Sequence, residues 1–194
     1  MATAPMNTTN NGQDPDRSIL CAVLDDGEIA LARVIGRGNF SNSEPLKRFA
    51  NHVVKRAAHQ KFIVDLHECE SMDSTFMGVL AGICISERDK ENGSEVILVN
   101  VNDHCHRLLK NLGLMNLLEI RSNGSDDISR AEGELKPAEG RSLDKLEQIC
   151  LTLAAHKNLI KVDEKNEVRF QAVIEYLEKD LAKNQKSCPT DEEE

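Results

Sequence analysis

The sequence predicts an α/β protein: a mixed β-sheet backed by helices, in the order β-β-α-β-α-β-α-β, with a C-terminal helical hairpin extension. Three observations carry the prediction. Short apolar runs of strand length recur along the first two thirds of the chain, and stretches with apolar residues at helical spacing stand between them. A polar stretch containing Pro137 then separates this pattern from two further helical stripes. The 194 residues are 40% hydrophobic but only 3% aromatic, so Leu, Ile, Val and Ala must build the core.

Residues 1–17 lack apolar periodicity and read as a disordered N-terminal tail. Ile19 to Leu24 and Glu28 to Ile35 are strand-like, and Asp26-Gly27 between them signals a type I′ hairpin, because Gly accepts a positive φ. Ser43 is placed to N-cap the first helix, with Glu44 and Pro45 in its first turn. Leu46, Phe49, Ala50, Val53, Val54 and Ala57 then form one helical face. Phe62-Ile63-Val64-Asp65-Leu66 is a short buried strand. From Asp73 or Ser74 to Lys90 runs a helix that is apolar nearly all round, hence a buried one, stopped at Asn92-Gly93. Val96 to Val99 is a strand. Asn102 or Asp103 caps a third helix, which Gly113 ends, and Leu118-Glu119-Ile120 is a last strand.

The folded domain is therefore expected at 18–121, a linker at 122–141, the helical hairpin at 142–184 and an acidic disordered tail at 185–194. Leu143, Leu146, Ile149, Cys150 and Leu153 make one stripe of the hairpin. Phe170, Val173, Ile174, Leu177 and Leu181 make the other, with Asp163 as a cap between them. The stripes need a surface to cover, which the domain or a second copy of it would supply.

Residues 1–125 carry 13 basic and 16 acidic groups and residues 126–194 carry 11 and 17, a net charge of −9. That balance repels phosphate backbones and argues against nucleic-acid binding. The six cysteines form no CxxC pair, and Cys21, Cys84 and Cys150 sit in apolar runs as small hydrophobes. The longest apolar run, Phe76 to Ile85, is about half of what a membrane span needs, and the chain opens on no secretory pattern. A reduced, cytoplasmic protein without membrane association is expected.

The informative segment is the strand Phe62 to Leu66 followed by Met72-Asp73-Ser74-Thr75-Phe76-Met77-Gly78-Val79-Leu80. The simplest role for Asp73 or Ser74 is to cap a helix. The same place also suits a regulatory phosphate, since a helix N-terminus offers unpaired N–H groups and partial positive charge. Phosphate on Ser74 would add about −1.5 to −2 charges beside Asp73, enough to repel a partner fitted to the neutral serine.

This segment resembles the central motif of STAS domains, in particular the anti-sigma-factor antagonists, whose pattern is Asp-Ser-Ser-Gly-Leu-Gly-Val-Leu. The resemblance covers residues 18–121 and includes Gly36-Arg37-Gly38-Asn39, Leu46, Arg107-Leu108-Leu109 and Leu112-Gly113-Leu114. It implies a STAS fold and a non-enzymatic, protein-binding regulator of transcription, with Ser74 as phosphoacceptor. Asn39, Met72, Asp73, Ser74, Thr75, Phe76 and Met77 would form the binding surface. The implied partners are an anti-sigma factor that is itself a serine kinase, binding when Ser74 is unphosphorylated, and a metal-dependent serine phosphatase. A homodimer is a further arrangement, and no cofactor is implied. Two positions depart from the family: Asn39 stands where Asp is usual, and Phe76 replaces the first helix Gly. The hairpin is no part of the family domain.

The main alternative is a receiver-like phospho-aspartate domain using Asp65 with Asp25, Asp26 and Mg²⁺. Asp26-Gly27 reading as a turn, and the absence of a helix after the first strand, weigh against it. Ser74, His67 and Asp65 supply the residue types of a hydrolase triad without nucleophile-elbow glycines. Gly36-Arg37-Gly38 lacks the third Gly of a dinucleotide loop. His104, Cys105 and His106 with His67 and Cys69 have poor spacing for zinc, because residues two apart on a helix point apart. Lys47-Arg48 and Lys55-Arg56 read as a solvated helix face.

Overall fold

A computed structural model describes residues 18–54, 61–91, 93–122 and 125–183. The expected tails at 1–17 and 185–194, Ala57 at the end of the first helical face, and Asn92 lie outside the described residues.

Ile19–Leu24 (β1) and Ile29–Val34 (β2) pair antiparallel, with Leu24 opposite Ile29. Their connection is longer than the two-residue turn the sequence suggests. Asp25–Gly27 forms a 3-10 turn, and both Asp25 (φ 53°) and Gly27 (φ 108°) take left-handed backbone, which Asp and Gly tolerate best. Next come Gly36–Gly38 (β3), Phe40–Val54 (α1), Lys61–Asp65 (β4), Cys69–Met72 (β5), Ser74–Arg88 (α2) and Glu95–Val99 (β6). Asp103–Asn111 (α3), Glu119–Arg121 (β7), Ser125–Ala131 (α4), Lys136–Pro137 (β8), Lys145–Val162 (α5) and Asn166–Lys183 (α6) complete the order.

The main sheet runs β7-β6-β4-β2-β1-β8, parallel from β2 to β7 and antiparallel at β1 and β8. Its strands are apolar on both faces, and the two-residue period divides them. Phe62, Val64, Val96 and Leu98 join the large core under α1, α2 and α3, while Ile63, Ile97 and Val99 point the other way into a smaller cluster with Leu31. That second face explains a departure from expectation. The stretch read as a linker forms α4 and the edge strand β8: Ala131 is fully buried in the smaller cluster, and Ile128 and Leu135 pack against it. Leaving this face in water would expose several Ile and Leu side chains at once, so a polar-looking segment folds over it.

Asn102 caps α3 by accepting from Cys105 N (2.9 Å), and Gly113 ends that helix region with φ 75°. Asp144 and Glu147 form a reciprocal capping box at the start of α5. Cys150 is disulfide-bonded, against the free-thiol reading of the sequence, whereas Cys21, Cys69, Cys84 and Cys105 are free and buried. Among the described residues, no helix is long and apolar enough to cross a membrane.

A buried ionic network ties the middle of the sheet together. Arg33 Nε donates to Asp65 Oδ2 (2.8 Å), and Asp65 Oδ1 accepts from Asn100 Nδ2 (2.8 Å) and from His67 N (3.1 Å). The other end of the Arg33 fork reaches Glu132, after α4, at 2.6 and 3.1 Å. These bonds, those to Glu132 foremost, push the Arg33 guanidinium above its ordinary range, and Arg33 holds the Glu132 carboxyl below its own. Asp65 is wholly shielded from water, so its loss leaves Arg33 Nε and Asn100 Nδ2 without their buried acceptor, although the other end of Arg33 keeps Glu132. Asp65→Ala is expected to cost about 3–5 kcal/mol in urea unfolding, as for other broken buried pairs. A loss below about 1 kcal/mol, the value of an exposed pair, contradicts the description.

Candidate functional site

The site is built where two strands hand over to two helices. β3 and β5 pair parallel, with Gly38 opposite Met72, and Asp73 N donates to the Gly38 carbonyl oxygen (2.9 Å). Each strand runs directly into a helix, so the N-termini of α1 and α2 come to lie together. Asp73 sits between them. Its Oδ1 accepts from Phe76 N (2.8 Å) in the first turn of α2, and its Oδ2 accepts from Phe40 N (2.9 Å) at the start of α1. One carboxylate thus faces the positive ends of two helices.

Asn39, not Ser43, caps α1. Its Oδ1 accepts from Ser41 N (2.8 Å), while Asn42 Oδ1 accepts from Asn39 N (2.7 Å). Ser43 lies a turn inside the helix and its hydroxyl donates back to the Asn39 carbonyl oxygen (2.8 Å), so the helix starts before the position the sequence suggests. Gly38 is required for the close approach: a Cβ there would stand 2.7 Å from the Phe76 ring.

Ser74 is the first residue of α2 and is half-buried. Its Oγ lies 3.0 Å from Nε2 of His156, on α5. His156 Nδ1 is 2.8 Å from the Thr152 carbonyl oxygen, which can only accept, so Nδ1 carries a proton. In the neutral ring Nε2 is then an acceptor, and the Ser74 hydroxyl donates to it. The imidazole is 5% exposed and lies against the Phe170 ring of α6, centroids 4.8 Å apart.

Of the seven residues expected on the binding surface, the structure leaves three accessible: Asn39, Asp73 and Ser74. Met72, Thr75, Phe76 and Met77 are buried, and Phe76 packs inside against Gly38 rather than outward. Aromatic bulk at the start of a helix fits here because β3 contributes a glycine opposite it. His156 is a site residue that the sequence alone does not mark. The one signal is its position, seven residues after Ile149 on the α5 stripe, where an apolar residue would continue the pattern.

The rival constellations come apart in space. Arg33 pairs with Asp65 while Ile29 pairs with Lys61, so Asp25, just before β2, and Asp65, at the end of β4, lie at opposite ends of the parallel strands. Asp65 is occupied by Arg33, and Asp25 pairs with Arg130. The acidic pocket of the receiver-like alternative is therefore not assembled. His67 is exposed, and Ser74 meets His156 instead. Cys69 and Cys105 do approach, Sγ to Sγ 3.9 Å; this contact holds the Cys105 thiol down at about 7 and, with burial, pushes Cys69 up. His104 is exposed and His106 half-buried, so both stay outside the buried cysteine pair.

Comparison with known proteins agrees with the motif. The STAS domain model matches residues 23–126. The anti-sigma-B factor antagonist of Listeria monocytogenes is 37% identical over 59 residues, which is 30% of this chain and 50% of that protein. The anti-sigma F factor antagonist of Paenibacillus polymyxa is 23% identical over 104 residues, 54% of this chain and 87% of that one. The chain thus spans about half the length of the Listeria relatives it matches. Among solved structures, an anti-sigma factor antagonist from Mycobacterium paratuberculosis is similar with a TM-score of 0.48 at 20% identity, covering 60% of this chain and 95% of that one.

The double cap makes a quantitative expectation. Asp73→Ala removes acceptors from two helices, at about 0.5–2 kcal/mol each, and Asn39→Ala removes one. Denaturant unfolding is expected to rank Asp73→Ala clearly below Asn39→Ala. Equal losses would mean that Asp73 serves a single helix.

Proposed function

The chain belongs to the STAS domain family, and from that premise we propose that it is a phosphorylation-gated protein-binding module of the anti-sigma-factor-antagonist type. Ser74 is the switch: neutral, it is part of a surface that binds an anti-sigma factor with serine kinase activity; phosphorylated, it repels that partner until a metal-dependent phosphatase resets it.

The observation that carries this reading is the position of Ser74. It is the first residue of α2, next to a carboxylate that already draws on the N-termini of two helices. Phosphate added there meets the positive end of a helix, so the fold tolerates it. A partner surface desolvated against the serine would instead face a dianion beside the Asp73 carboxylate, at a cost in binding. Towards the partner the switch thus works through charge and desolvation. Asp73 is exposed beside it, and Asn39 is partly exposed. A cavity of about 720 Å³ lies away from Ser74, lined by Arg48, His52, Lys136 and Arg141.

Incubation with an anti-sigma factor/serine kinase and ATP, followed by intact mass and peptide mapping, is expected to find one phosphate, on Ser74. Ser74→Ala should abolish the added mass. Phosphate recovered on Asp65 as an acid-labile acyl phosphate would contradict the proposal and favour receiver chemistry.

A further inference from the structure

We propose that the α5–α6 hairpin is an intramolecular mask over the Ser74 surface, standing where a partner's helix would otherwise dock. This rests on the reading of Ser74 as the switch.

The fit of α5 on α2 is that of a ligand in a shaped groove. Gly78 and Gly82, one turn apart on α2, present bare backbone to α5. A Cβ on Gly78 would stand 2.3 Å from the Ala155 carbonyl oxygen, and one on Gly82 would stand 2.4 Å from Asn158 Nδ2. Asn158 Nδ2 in turn donates to the Gly78 carbonyl oxygen (3.4 Å). Leu151, Ala155 and Leu159 from α5 are buried in the main core beside α2 residues Met77, Val79 and Ala81. A surface so shaped takes a helix with a small residue at the crossing point and an apolar stripe on either side. The partner that fits is therefore an amphipathic helix, and α5 is the copy of it carried in cis.

The same helix closes the modification site. Phosphoryl transfer forms an O–P bond at Ser74 Oγ as the bond to the departing nucleoside diphosphate breaks, and the hydroxyl proton passes to a base of the kinase. In the closed chain that hydroxyl already donates to His156 Nε2, and the ring behind it is shielded by Phe170. Phosphate oxygens and the packed imidazole compete for one space. The mask is also built to come away as a unit. Beyond α5 itself, its ties include Asn166 Nδ2 to the Leu112 carbonyl oxygen (3.0 Å), Arg169 Nη1 to the Asn111 carbonyl oxygen (2.9 Å), and Arg141, which bridges Glu44 of α1 and Glu147 of α5. Most of α6 faces outward, with Val168 and Tyr176 exposed. Between β8 and α5 the chain passes through 138–144, where Ala138 N is tied to the Ile19 carbonyl oxygen (2.8 Å) and Arg141 N to Glu44 (3.2 Å), so opening the hairpin breaks the Arg141 contacts while Ala138 stays on β1. A mask tethered this way acts at high effective concentration, so only a partner that outcompetes it, or a kinase that captures the open form, gains access.

The test needs neither partner nor kinase, so its failure is separable from failure of the antagonist reading. Phosphoserine is installed at position 74 of the full chain by genetic encoding, and amide hydrogen exchange is compared with the serine form. Exchange across 145–162 is expected to accelerate by about tenfold or more while β4 and β6 keep their protection. Unchanged protection of 145–162 overturns the mask, because phosphate then fits beneath α5. If the phosphorylated chain loses protection everywhere, iodoacetamide labelling of Ser74→Cys decides, in the otherwise native chain and with Ala155→Trp added. The tryptophan wedges α5 from Gly78 without altering the sheet. Labelling at position 74 is expected to be about tenfold faster or more with the wedge, and equal rates overturn the proposal.

Discussion

The Asp73 carboxylate, held between the N-termini of α1 and α2, is the constraint on which the site depends. Each oxygen caps one helix, and the Asp73 amide joins the end of β3. The three bonds fix the directions of both helices relative to the short β3–β5 pair. They set Ser74 at the edge of that junction and drive Phe76 inward against Gly38. A charge placed there is stabilised by two helix ends at once, so a carboxylate persists where a second anion on Ser74 would still be tolerated by the fold. The structural capping and the regulatory role proposed for Ser74 therefore draw on one arrangement of the same residues.

The second constraint is how closely α5 approaches α2. Two glycines one turn apart remove the side chains that would hold the helices apart, and the carbonyl of Ala155 fills the space. Ile149, Leu151, Leu153 and Leu159 are buried along α5, each offering about 1.5–3 kcal/mol at most when fully buried. That gain is set against the ordering of the hairpin and of the segment leading to it. For the hairpin to open as a local unit, this packing and the ties from His156, Asn158, Asn166, Arg169 and Arg141 must break together. Coupling between the hairpin and Ser74 needs no long pathway, because His156 makes the connection directly.

Much of this is legible in the sequence, and the failures have physical causes. β1, β2, β4 and β6 are readable because each has a dense apolar run, and α2 because it is apolar all round. The stripes on 143–153 and 170–181 announce helices in search of a surface, and α5 and α6 lie there. β3 and β5 are not readable, because three or four residues carry too little pattern to register. The stretch 122–141 misleads because its composition is polar, while Ile128, Ala131 and Leu135 are few but placed to cover the far face of the sheet. At the site, the motif around Ser74 is visible as a local sequence. Its contact with His156 spans 82 residues and depends on two glycines permitting close helix packing, which no local pattern encodes.

The central claim is that charge at position 74 governs partner binding, and one affinity comparison tests it most directly. Ser74→Ala and Ser74→Glu are each placed in the full-length Ala155→Trp chain, where the hairpin is displaced in both, and titrated calorimetrically with an anti-sigma factor/serine kinase. The alanine form is expected to bind and the glutamate form to bind more weakly by about 1–3 kcal/mol, since the anion is desolvated against the partner. Equal affinities, with both chains folded, would contradict the account and leave Ser74 a helix-start residue with no regulatory charge.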